Sequence, residues 1–278
     1  MLTLDQIIDF ALQEDIGDGD HTSLSCIPSD AKGKARLFVK EPGIIAGIDV
    51  ACKVFEKVDS TVKFTAFLKD GDKVKKGDVV FEVEGSSISL LSSERLSLNF
   101  MQRMSGIATY TNKLVGLIEG TSTRLLDTRK TTPNIRLLEK LAVKIGGGEN
   151  HRFGLFDMIM IKDNHVDFAG GIVPAIEATC IYLKSKNKDL KIEIEVRNFE
   201  ELQQVLNYGK IHRIMLDNFT PENLSKAVKI IDHRYETEAS GGITEDTIRS
   251  YAETGVDFIS VGALTHQIKS LDLSLKAV

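Results

Sequence analysis

The feature that most constrains the fold is a repeating alternation of short apolar runs and helical patterns between residues 124 and 261. Each apolar run has the length of a buried strand, and each of the first five is followed by apolar residues at helical spacing. Strands that alternate with helices in this way form a parallel sheet covered by helices. The predicted strands are 124–126, 158–161, 192–196, 214–216, 235–239 and 258–261, and the predicted helices are 136–145, 172–183, 199–206, 222–231 and 245–253.

A parallel α/β sheet of this kind can be open and doubly wound or can curl into a barrel. An eight-fold barrel takes roughly 200 residues or more, whereas the alternation occupies only about residues 123–265. No G-x-G-x-x-G string follows the first of these strands, which argues against a dinucleotide-binding domain. The sequence therefore predicts a small or incomplete α/β barrel.

The first 92 residues follow a different pattern. A helical pattern at 4–12 is followed by alternating strands at 35–39, 62–66 and 79–84, which together predict a small α+β sheet domain. A long helix over 94–118 is expected to link the two halves. Its Gly106 costs roughly 1 kcal/mol relative to alanine, so we expect a kink or close packing there.

Composition excludes several functional classes. A net charge of −5 argues against a broad nucleic-acid-binding face, so an anionic ligand must be met by a local cluster of basic groups. No apolar run is long enough to cross a bilayer, and no signal peptide is visible at the start. The three cysteines are widely spaced, which favours a reduced, cytoplasmic compartment.

Polar residues follow the predicted strands at the point where each strand ends. In a parallel barrel these ends lie on one face, and that face is where chemistry is normally found. A single such residue is usually a loop polar group or a helix cap, but a whole series favours a functional site. The series comprises Asp127, Thr128, Arg129 and Lys130, then Lys162, Glu195, Asp217, Ser240, Gly241, Gly242 and Gly262.

The series separates by charge. Arginine forks bind carboxylates or phosphates, and the predicted basic group is Arg129, Lys130, His151, Arg152 and Lys162. By contrast, Lys140 and Lys144 lie on a predicted helix, where we expect solvated side chains.

Glu195 and Asp217 come from separate strands and could converge across the mouth of the barrel. Two carboxylates there could bind sugar hydroxyls, hold a divalent ion, or act as acid and base, and the alternative is pairing with lysines. Glu193 shares a face with Glu195, so one of the two could be purely structural. The sequence alone leaves these roles open.

Two glycine loops complete the pattern. Glycines at a strand end let main-chain N–H groups approach a phosphate closely, and barrels often bind phosphate in the loops after their last two strands. Ordinary turn glycines are the alternative. The two loops are Ser240-Gly241-Gly242 and Val261-Gly262-Ala263.

The strings that contain these residues resemble the quinolinate phosphoribosyltransferases, type II phosphoribosyltransferases that are the nicotinate-nucleotide pyrophosphorylases (carboxylating) of NAD biosynthesis. The match runs in order across nearly the whole chain. It rests on E-D-I-G-D-G-D at 14–20, Glu94-Arg95, D-T-R-K-T-T-P at 127–133, G-G-E-N-H-R at 147–152, K-D-N-H at 162–165, L-D-N-F at 216–219, S-G-G at 240–242 and V-G-A-L-T-H at 261–266.

The resemblance implies a two-domain enzyme. Residues 1–104 would form an α/β sandwich to which 267–278 returns, and 105–266 would form an incomplete, seven-stranded α/β barrel. The implied reaction joins quinolinate to phosphoribosyl pyrophosphate with Mg²⁺, giving nicotinate mononucleotide, pyrophosphate and CO₂. The implied assembly is a homodimer in which Arg95 reaches the neighbouring subunit's site, with a hexamer as one larger assembly of such dimers.

The resemblance also implies residue roles. The quinolinate carboxylates would be surrounded by basic residues, with Thr128 and Lys130 beside them and Lys130 turned toward the phosphoribosyl donor. Glu195 and Asp217 would hold the ribose hydroxyls and the magnesium-bound donor, and catalysis would rest on these two with Lys130 and Lys162. Ser240, Gly241, Gly242, Val261, Gly262 and Ala263 would bind the 5′-phosphate, and Arg95, Arg129, His151, Arg152 and Lys162 would bind quinolinate.

One position departs from the family pattern, and two rival functions remain. Arg197 stands where an acidic residue often follows Val196; it could perturb the local field, but its side chain should point to the face opposite Val196, where we expect it to be solvated. The first rival is a related pyrophosphorylase-like protein associated with molybdenum transport. The second is a non-catalytic barrel that senses a phosphorylated metabolite. The complete basic set, together with both carboxylates, favours the enzyme.

Overall fold

The computed structural model describes residues 2–278 and divides by internal contacts into two compact units. The first unit holds the residues up to Asn112 together with Lys130–Gly147 and Ala263–Val278, and the second holds Lys113–Arg129 and Gly148–Gly262. The domain boundary between residues 104 and 105 stays a prediction.

The first unit is built on a four-stranded antiparallel sheet with the strand order β12-β1-β5-β3, beside a short β2-β4 pair. The chain end returns to this sheet, since Ala277 pairs with Ala35. The elements are α1 (Leu4–Ile16), α2 (His21–Cys26), β1 (Lys32–Val39), β2 (Gly43–Ile44), α3 (Ile48–Val58), β3 (Lys63–Ala66), β4 (Lys73–Val74), β5 (Val79–Ser86), α4 (Ser87–Leu117, which continues into the second unit), α5 (Arg136–Ile145), α11 (Ala263–His266) and β12 (Leu273–Ala277).

Apolar side chains from α3 and the sheet form the core of the first unit. Along α3, Val50, Ala51, Val54 and Phe55 are buried at the three- and four-residue spacing of one helix face. Phe55 packs edge-on against Phe81 of β5, with ring centroids 6.1 Å apart. The alternating strands predicted at 35–39, 62–66 and 79–84 are thereby confirmed in β1, β3 and β5.

Helix α4 begins at Ser87, seven residues before the predicted start at 94. Gly106 lies within it, and a Cβ added there would lie 2.4 Å from the main-chain oxygen of Lys269. Real Cβ atoms do not approach so closely, so the glycine is required by close packing of the chain end against the helix.

The second unit is built on a six-stranded parallel sheet with the strand order β6-β11-β10-β9-β8-β7. This sheet confirms the predicted α/β class. The resemblance implied seven strands, and within residues 2–278 the only further pairing to this sheet is an isolated parallel bridge from Glu149 to Leu126. The elements are β6 (Arg124–Leu126), β7 (Ile159–Ile161), α6 (Asp163–Ala169), α7 (Ile172–Lys186), β8 (Ile192–Val196), α8 (Phe199–Tyr208), β9 (Arg213–Asp217), α9 (Pro221–Ile231), β10 (Glu236–Ser240), α10 (Ile248–Ala252) and β11 (Phe258–Ser260).

In the second unit the helix predictions are confirmed except at two places, whereas α2, α3 and α11 of the first unit were not predicted. Helix α10 begins at Ile248 rather than at 245, because Thr244 accepts the Thr247 and Ile248 amides in a turn before the helix. Helix α6 was not predicted at all, since its seven residues are too few to show a helical period.

The expectation that Lys140 is solvated is wrong. Its exposed fraction is 1%, whereas Lys144 is exposed as predicted. The preceding Glu139 is fully buried as well, and its carboxylate accepts Arg103 Nη2 at 2.8 Å and the Thr132 main-chain N–H at 2.9 Å. Helix α5 therefore buries two charged side chains directly after Leu138, while its Leu141 is exposed.

Within residues 2–278 no single helix is long and apolar enough to cross a membrane. Helices α6 and α7 reach that length and composition only when counted together, across a bend of 90°.

Asp70 gives a test of the first unit. Its carboxylate accepts the Ile48 main-chain N–H at 3.0 Å and so caps α3, while burial raises its pKa. A raised pKa means that the charged form destabilises the fold at neutral pH. We expect Asp70→Asn, which keeps the acceptor oxygen, to raise the unfolding temperature at pH 7 by a few degrees at most.

This gain should fade as the pH falls through the raised pKa of Asp70, because the folded wild type then takes up the proton itself. Thermal unfolding followed by circular dichroism at several pH values measures it. Asp30→Asn, at an exposed carboxylate, is the matched control. A destabilised Asp70→Asn at pH 7 would contradict the interpretation.

Candidate active site

The carboxyl ends of the six parallel strands meet at one edge of the second unit's sheet. Parallel register places them there, as Ser240 pairs beside Asp217 and Ala239 beside Leu216. The predicted site residues of this unit all follow or end those strands. They are Thr128, Arg129, Lys162, Glu195, Asp217, Ser240, Gly241, Gly242, Val261 and Gly262, and His151 and Arg152 follow the bridge at Glu149.

Two arginines lie close enough to repel each other. Burial lowers the pKa of Arg152, and the charge of the exposed Arg129 lowers it further. Arg152 is held in place by Nη1, which donates to the main-chain oxygen of Met158 at 3.2 Å. Two guanidinium groups whose charges act on each other in this way can bind the two carboxylates of a dianion.

A third cation stands beside a carboxylate at the ends of β7 and β8. Lys162 Nζ lies 3.1 Å from Glu195 Oε2. The main-chain N–H of Lys162 donates to His165 Nδ1 at 3.0 Å, so His165 caps α6 and holds the start of the helix against the lysine. Burial raises the pKa of Glu195, and Lys162 opposes that shift.

The two predicted carboxylates stand on the neighbouring strands β8 and β9, close to their carboxyl ends. The charge of Asp217 contributes to the raised pKa of Glu195, and Lys162 acts on both groups. Burial also raises the pKa of Asp217, whose Oδ2 accepts Asn218 Nδ2 at 2.6 Å. The ends of β8 and β9 therefore hold one buried and one half-buried carboxylate, and the charge of Lys162 acts on both.

These carboxylates fit a hard divalent cation in part. Mg²⁺ prefers carboxylate oxygen and usually takes one or two carboxylates together with substrate phosphates. Glu195 and Asp217 supply such oxygens, but Lys162 already lies against Glu195. The arrangement suits an ion that is shared with a phosphorylated substrate better than one held by the protein alone.

The loop after β10 brings main chain close to the carboxylates. Gly241 has a φ of +98°, and a Cβ there would lie 2.2 Å from Asn218 Oδ1, so only glycine fits. The main-chain N–H of Asn218 in turn donates to the main-chain oxygen of Ser240 at 2.8 Å. After β11, the Val261 amide donates to the main-chain oxygen of Leu126 at 3.0 Å, which fixes the start of the second glycine loop.

Beneath this edge, the inward side chains of the sheet form a buried charge cluster that the sequence did not reveal. We define it as His151, Glu193, Arg213 and Glu238. His151 Nε2 lies 2.9 Å from Glu193 Oε2 and 3.3 Å from Glu238 Oε2, and Arg213 Nη1 lies 3.1 Å from Glu238 Oε2. Both carboxylates are fully buried.

Three members of the cluster have the ligand types of a metal site. Arg213 argues against that use, because its guanidinium already supplies positive charge to the oxygen of Glu238 that faces His151. His151 and Arg213 lie beside the two carboxylates, and burial together with the charge of Glu238 raises the pKa of Glu193 to about 7. The cluster is thus explained as a buried ion-pair network.

Opposing contacts act on the His151 ring. Burial lowers its pKa, but Glu193 and Glu238 outweigh that effect and raise the pKa to about 9. The contact at Nδ1 opposes protonation of the ring. The Arg152 main-chain N–H donates a hydrogen bond to Nδ1 at 2.6 Å, and only an unprotonated nitrogen can accept it. Both contacts require the Nε2 proton to face the carboxylates.

Asp127 holds the segment that carries His151. It is fully buried, and its two oxygens accept the His151 main-chain N–H at 2.9 Å and Asn150 Nδ2 at 2.6 Å. The prediction grouped Asp127 with the strand-end residues but gave it no role. A buried carboxylate between two strings of the motif sets their relative position.

Arg197 is not simply solvated. Its guanidinium pairs with Glu201 at 2.6 Å and with Asp167 at 3.0 Å, and its side chain is about half exposed. These ion pairs raise its pKa. Arg197 thus joins the start of α8 to α6, and the departure from the family pattern leaves the strand-end carboxylates with their own partners.

The remaining predicted residues belong to segments of the first unit. Arg95 is exposed on α4. Lys130 is exposed, and its main-chain oxygen accepts Thr265 Oγ1 at 2.8 Å. Ala263 begins α11. The roles of these residues stay predictions.

Known proteins match the chain over nearly its whole length. The family models for the N-terminal and C-terminal domains of quinolinate phosphoribosyl transferase match residues 20–105 and 107–276. A chloroplastic nicotinate-nucleotide pyrophosphorylase (carboxylating) from Arabidopsis thaliana is 47% identical over 288 residues, covering 98% of this chain and 82% of that protein. A probable enzyme of the same name from Bacillus subtilis is 41% identical, covering 99% and 93%.

The fold is shared as well. The structure of the nicotinate-nucleotide pyrophosphorylase from Francisella tularensis superposes with a TM-score of 0.92 at 42% identity, covering 99% of this chain and 96% of that one. Together with both family models and the strand-end residues, these matches show that the chain belongs to the quinolinate phosphoribosyltransferase family.

Proposed function

We propose that this chain transfers the phosphoribosyl group of phosphoribosyl pyrophosphate to the ring nitrogen of quinolinate. The products are nicotinate mononucleotide, pyrophosphate and CO₂, so the chain is a pentosyltransferase of de novo NAD biosynthesis. Membership of the family supports this proposal. The observation that carries it is the contact of Lys162 Nζ with Glu195 Oε2 at 3.1 Å, at the strand ends where Arg129 and Asp217 also lie.

The geometry supports a division of the site by charge. Arg129, Arg152 and Lys162 would bind the two carboxylates of quinolinate and so hold its ring nitrogen near the anomeric carbon. Glu195 and Asp217 would bind the ribose hydroxyls, with Lys130 turned toward the donor. The loops at 240–242 and 261–263 would bind the 5′-phosphate through main-chain N–H groups.

The chemistry follows from these charges. When the bond between ribose and pyrophosphate breaks, positive charge develops on the sugar, and Glu195 and Asp217 would stabilise it. When bound, Mg²⁺ would offset the charge of the departing pyrophosphate. The ribosylated ring nitrogen is cationic, so loss of the neighbouring carboxylate as CO₂ leaves an electron pair on the carbon beside N⁺, and that carbon then takes up a proton from water. That charge makes decarboxylation possible without a separate organic cofactor.

The proposal includes an assembly and a compartment. We infer a homodimer in which Arg95 completes the neighbouring subunit's site, because an exposed arginine on α4 is available to a second copy. A hexamer of such dimers is a further assembly to test. We also propose a cytoplasmic location, which the scattered cysteines favour, although several plant relatives are chloroplastic or mitochondrial.

The first test is the reaction itself. Purified protein with quinolinate, phosphoribosyl pyrophosphate and Mg²⁺ should release CO₂ and pyrophosphate in equal amounts. A chelator should stop the reaction, and added Mg²⁺ should restore it. Quinolinate that stays unreacted would contradict the assignment, and binding of a phosphorylated metabolite without turnover would instead support the sensor function.

Arg129 tests the dianion site. Arg129→Gln should weaken binding of benzene-1,2-dicarboxylate, which has the two carboxylates but no ring nitrogen, by about tenfold or more, since charge-assisted hydrogen bonds contribute roughly 1.5–3 kcal/mol. Isothermal calorimetry measures the change. Arg124→Gln is the matched control, because that exposed arginine pairs with Glu149 at 3.2 Å and lies at the opposite end of β6. Equal losses in both variants would refute a specific role for Arg129.

Arg95 tests the shared site. Arg95→Ala and Arg152→Ala should each be nearly inactive, whereas a mixture after subunit exchange should regain about a quarter of the wild-type rate. Half of randomly paired dimers are mixed, and each mixed dimer has one intact site. Exchange is verified by mass spectrometry of tagged subunits. A mixture that exchanges but stays inactive shows that Arg95 acts within its own subunit.

A further inference from the structure

The environment of His151 disagrees with its implied role as a quinolinate ligand. The side chain is 5% exposed, and its two ring nitrogens already have partners inside the second unit. Nε2 faces Glu193 and Glu238, while Nδ1 accepts the main-chain N–H of Arg152 at 2.6 Å. The main-chain N–H of His151 is bound by Asp127.

The contacts on the far side of the ring are costly to break. Glu193 and Glu238 come from β8 and β10, and each is fully buried. If the imidazole turned toward a substrate, both buried carboxylates would lose the ring that lies 2.9 and 3.3 Å from them, and only Arg213 would remain beside Glu238. Breaking one partner out of a buried charge network is strongly destabilising.

The contact on the near side fixes Arg152. The main-chain N–H of Arg152 donates to His151 Nδ1, and its guanidinium donates to the main-chain oxygen of Met158 at 3.2 Å. The charge of Glu193 also acts on Arg152 and offsets part of the repulsion from Arg129. The ring of His151 therefore connects the buried carboxylates to the arginine that faces the site.

We propose that Glu193, Glu238 and Arg213 hold His151 as a positioning residue for Arg152, and that His151 does not itself bind the dicarboxylate. This inference rests on the proposed function, because it assigns Arg152 to the dicarboxylate site. His151 would then act on the dicarboxylate only through Arg152. Glu193, Glu238 and Arg213, which are buried in the sheet, would contribute to substrate binding by holding His151.

The decisive measurement is ¹⁵N NMR of the histidine side chains in the wild-type protein, titrated with benzene-1,2-dicarboxylate. His151→Gln assigns the signal among the six histidines. We expect the His151 nitrogens to keep their protonation pattern at saturation, because neither nitrogen contacts the ligand. His212, whose Nδ1 accepts the Ile192 N–H at 2.9 Å near the opposite end of the sheet, is the internal control. A changed tautomer or protonation state of His151 on binding overturns the proposal.

Kinetics give an independent test. Glu238→Gln should raise the KM for quinolinate on the order of tenfold and the KM for phosphoribosyl pyrophosphate by no more than about twofold. The double variant with His151→Gln should cost no more than the larger single change, since both act through one network. Glu236→Gln is the matched control, because Glu236 pairs with Arg213 at 3.0 Å but is partly exposed and is not among the partners of His151.

Additive losses, or equal effects on both substrates, overturn the positioning role. If Glu238→Gln does not fold, the wild-type NMR titration still decides. Failure of this inference is distinct from failure of the proposed function. An enzyme that turns over quinolinate while His151 changes its protonation refutes the inference alone, whereas wild-type protein that binds no dicarboxylate and turns over no quinolinate refutes the proposed function.

Discussion

Charge balance inside the parallel sheet is the constraint on which the rest of the site depends. Glu193 and Glu238 have no access to water, and a buried carboxylate is tolerated only when it is paired. His151 and Arg213 provide that pairing from two other places in the chain. Because the His151 ring is fixed by this requirement, the main chain of Arg152 is fixed with it, and so is the start of the basic group at the strand ends.

The cations and carboxylates above this cluster are arranged in the opposite way, with charges left partly uncompensated. Arg129 and Arg152 repel each other, and the buried Glu195 shares Lys162 with Asp217. Such an arrangement costs stability in the free protein, and a ligand with complementary charges relieves the cost. The charges inside the sheet are paired, whereas those at the strand ends are not. A preorganised site for an anion next to a sugar requires this combination.

Most of the fold could be predicted from the sequence, and particular residues show why. Strand β8 and helix α5 have the predicted bounds, because periodicity records which side chains face a core. The same reasoning placed Lys140 in water and gave Glu193 no definite role, since a single chain does not show which charge meets which partner. Glu139 pairs with Arg103, which is thirty-six residues away in the chain, and His151 lies against Glu238 of β10.

The strand-end residues were predictable for a different reason. Parallel strands put their carboxyl ends at one edge, so Arg129, Lys162, Glu195 and Asp217 could be grouped before any contact was known. Position along a strand does not tell whether a side chain faces the ligand or the interior, however. His151 lies in the same string as Arg152 and was assigned the same role, yet its ring nitrogens point to different groups. A residue inside a binding motif can therefore serve the motif by holding its neighbour, and the contacts of both ring nitrogens are what separate the two cases.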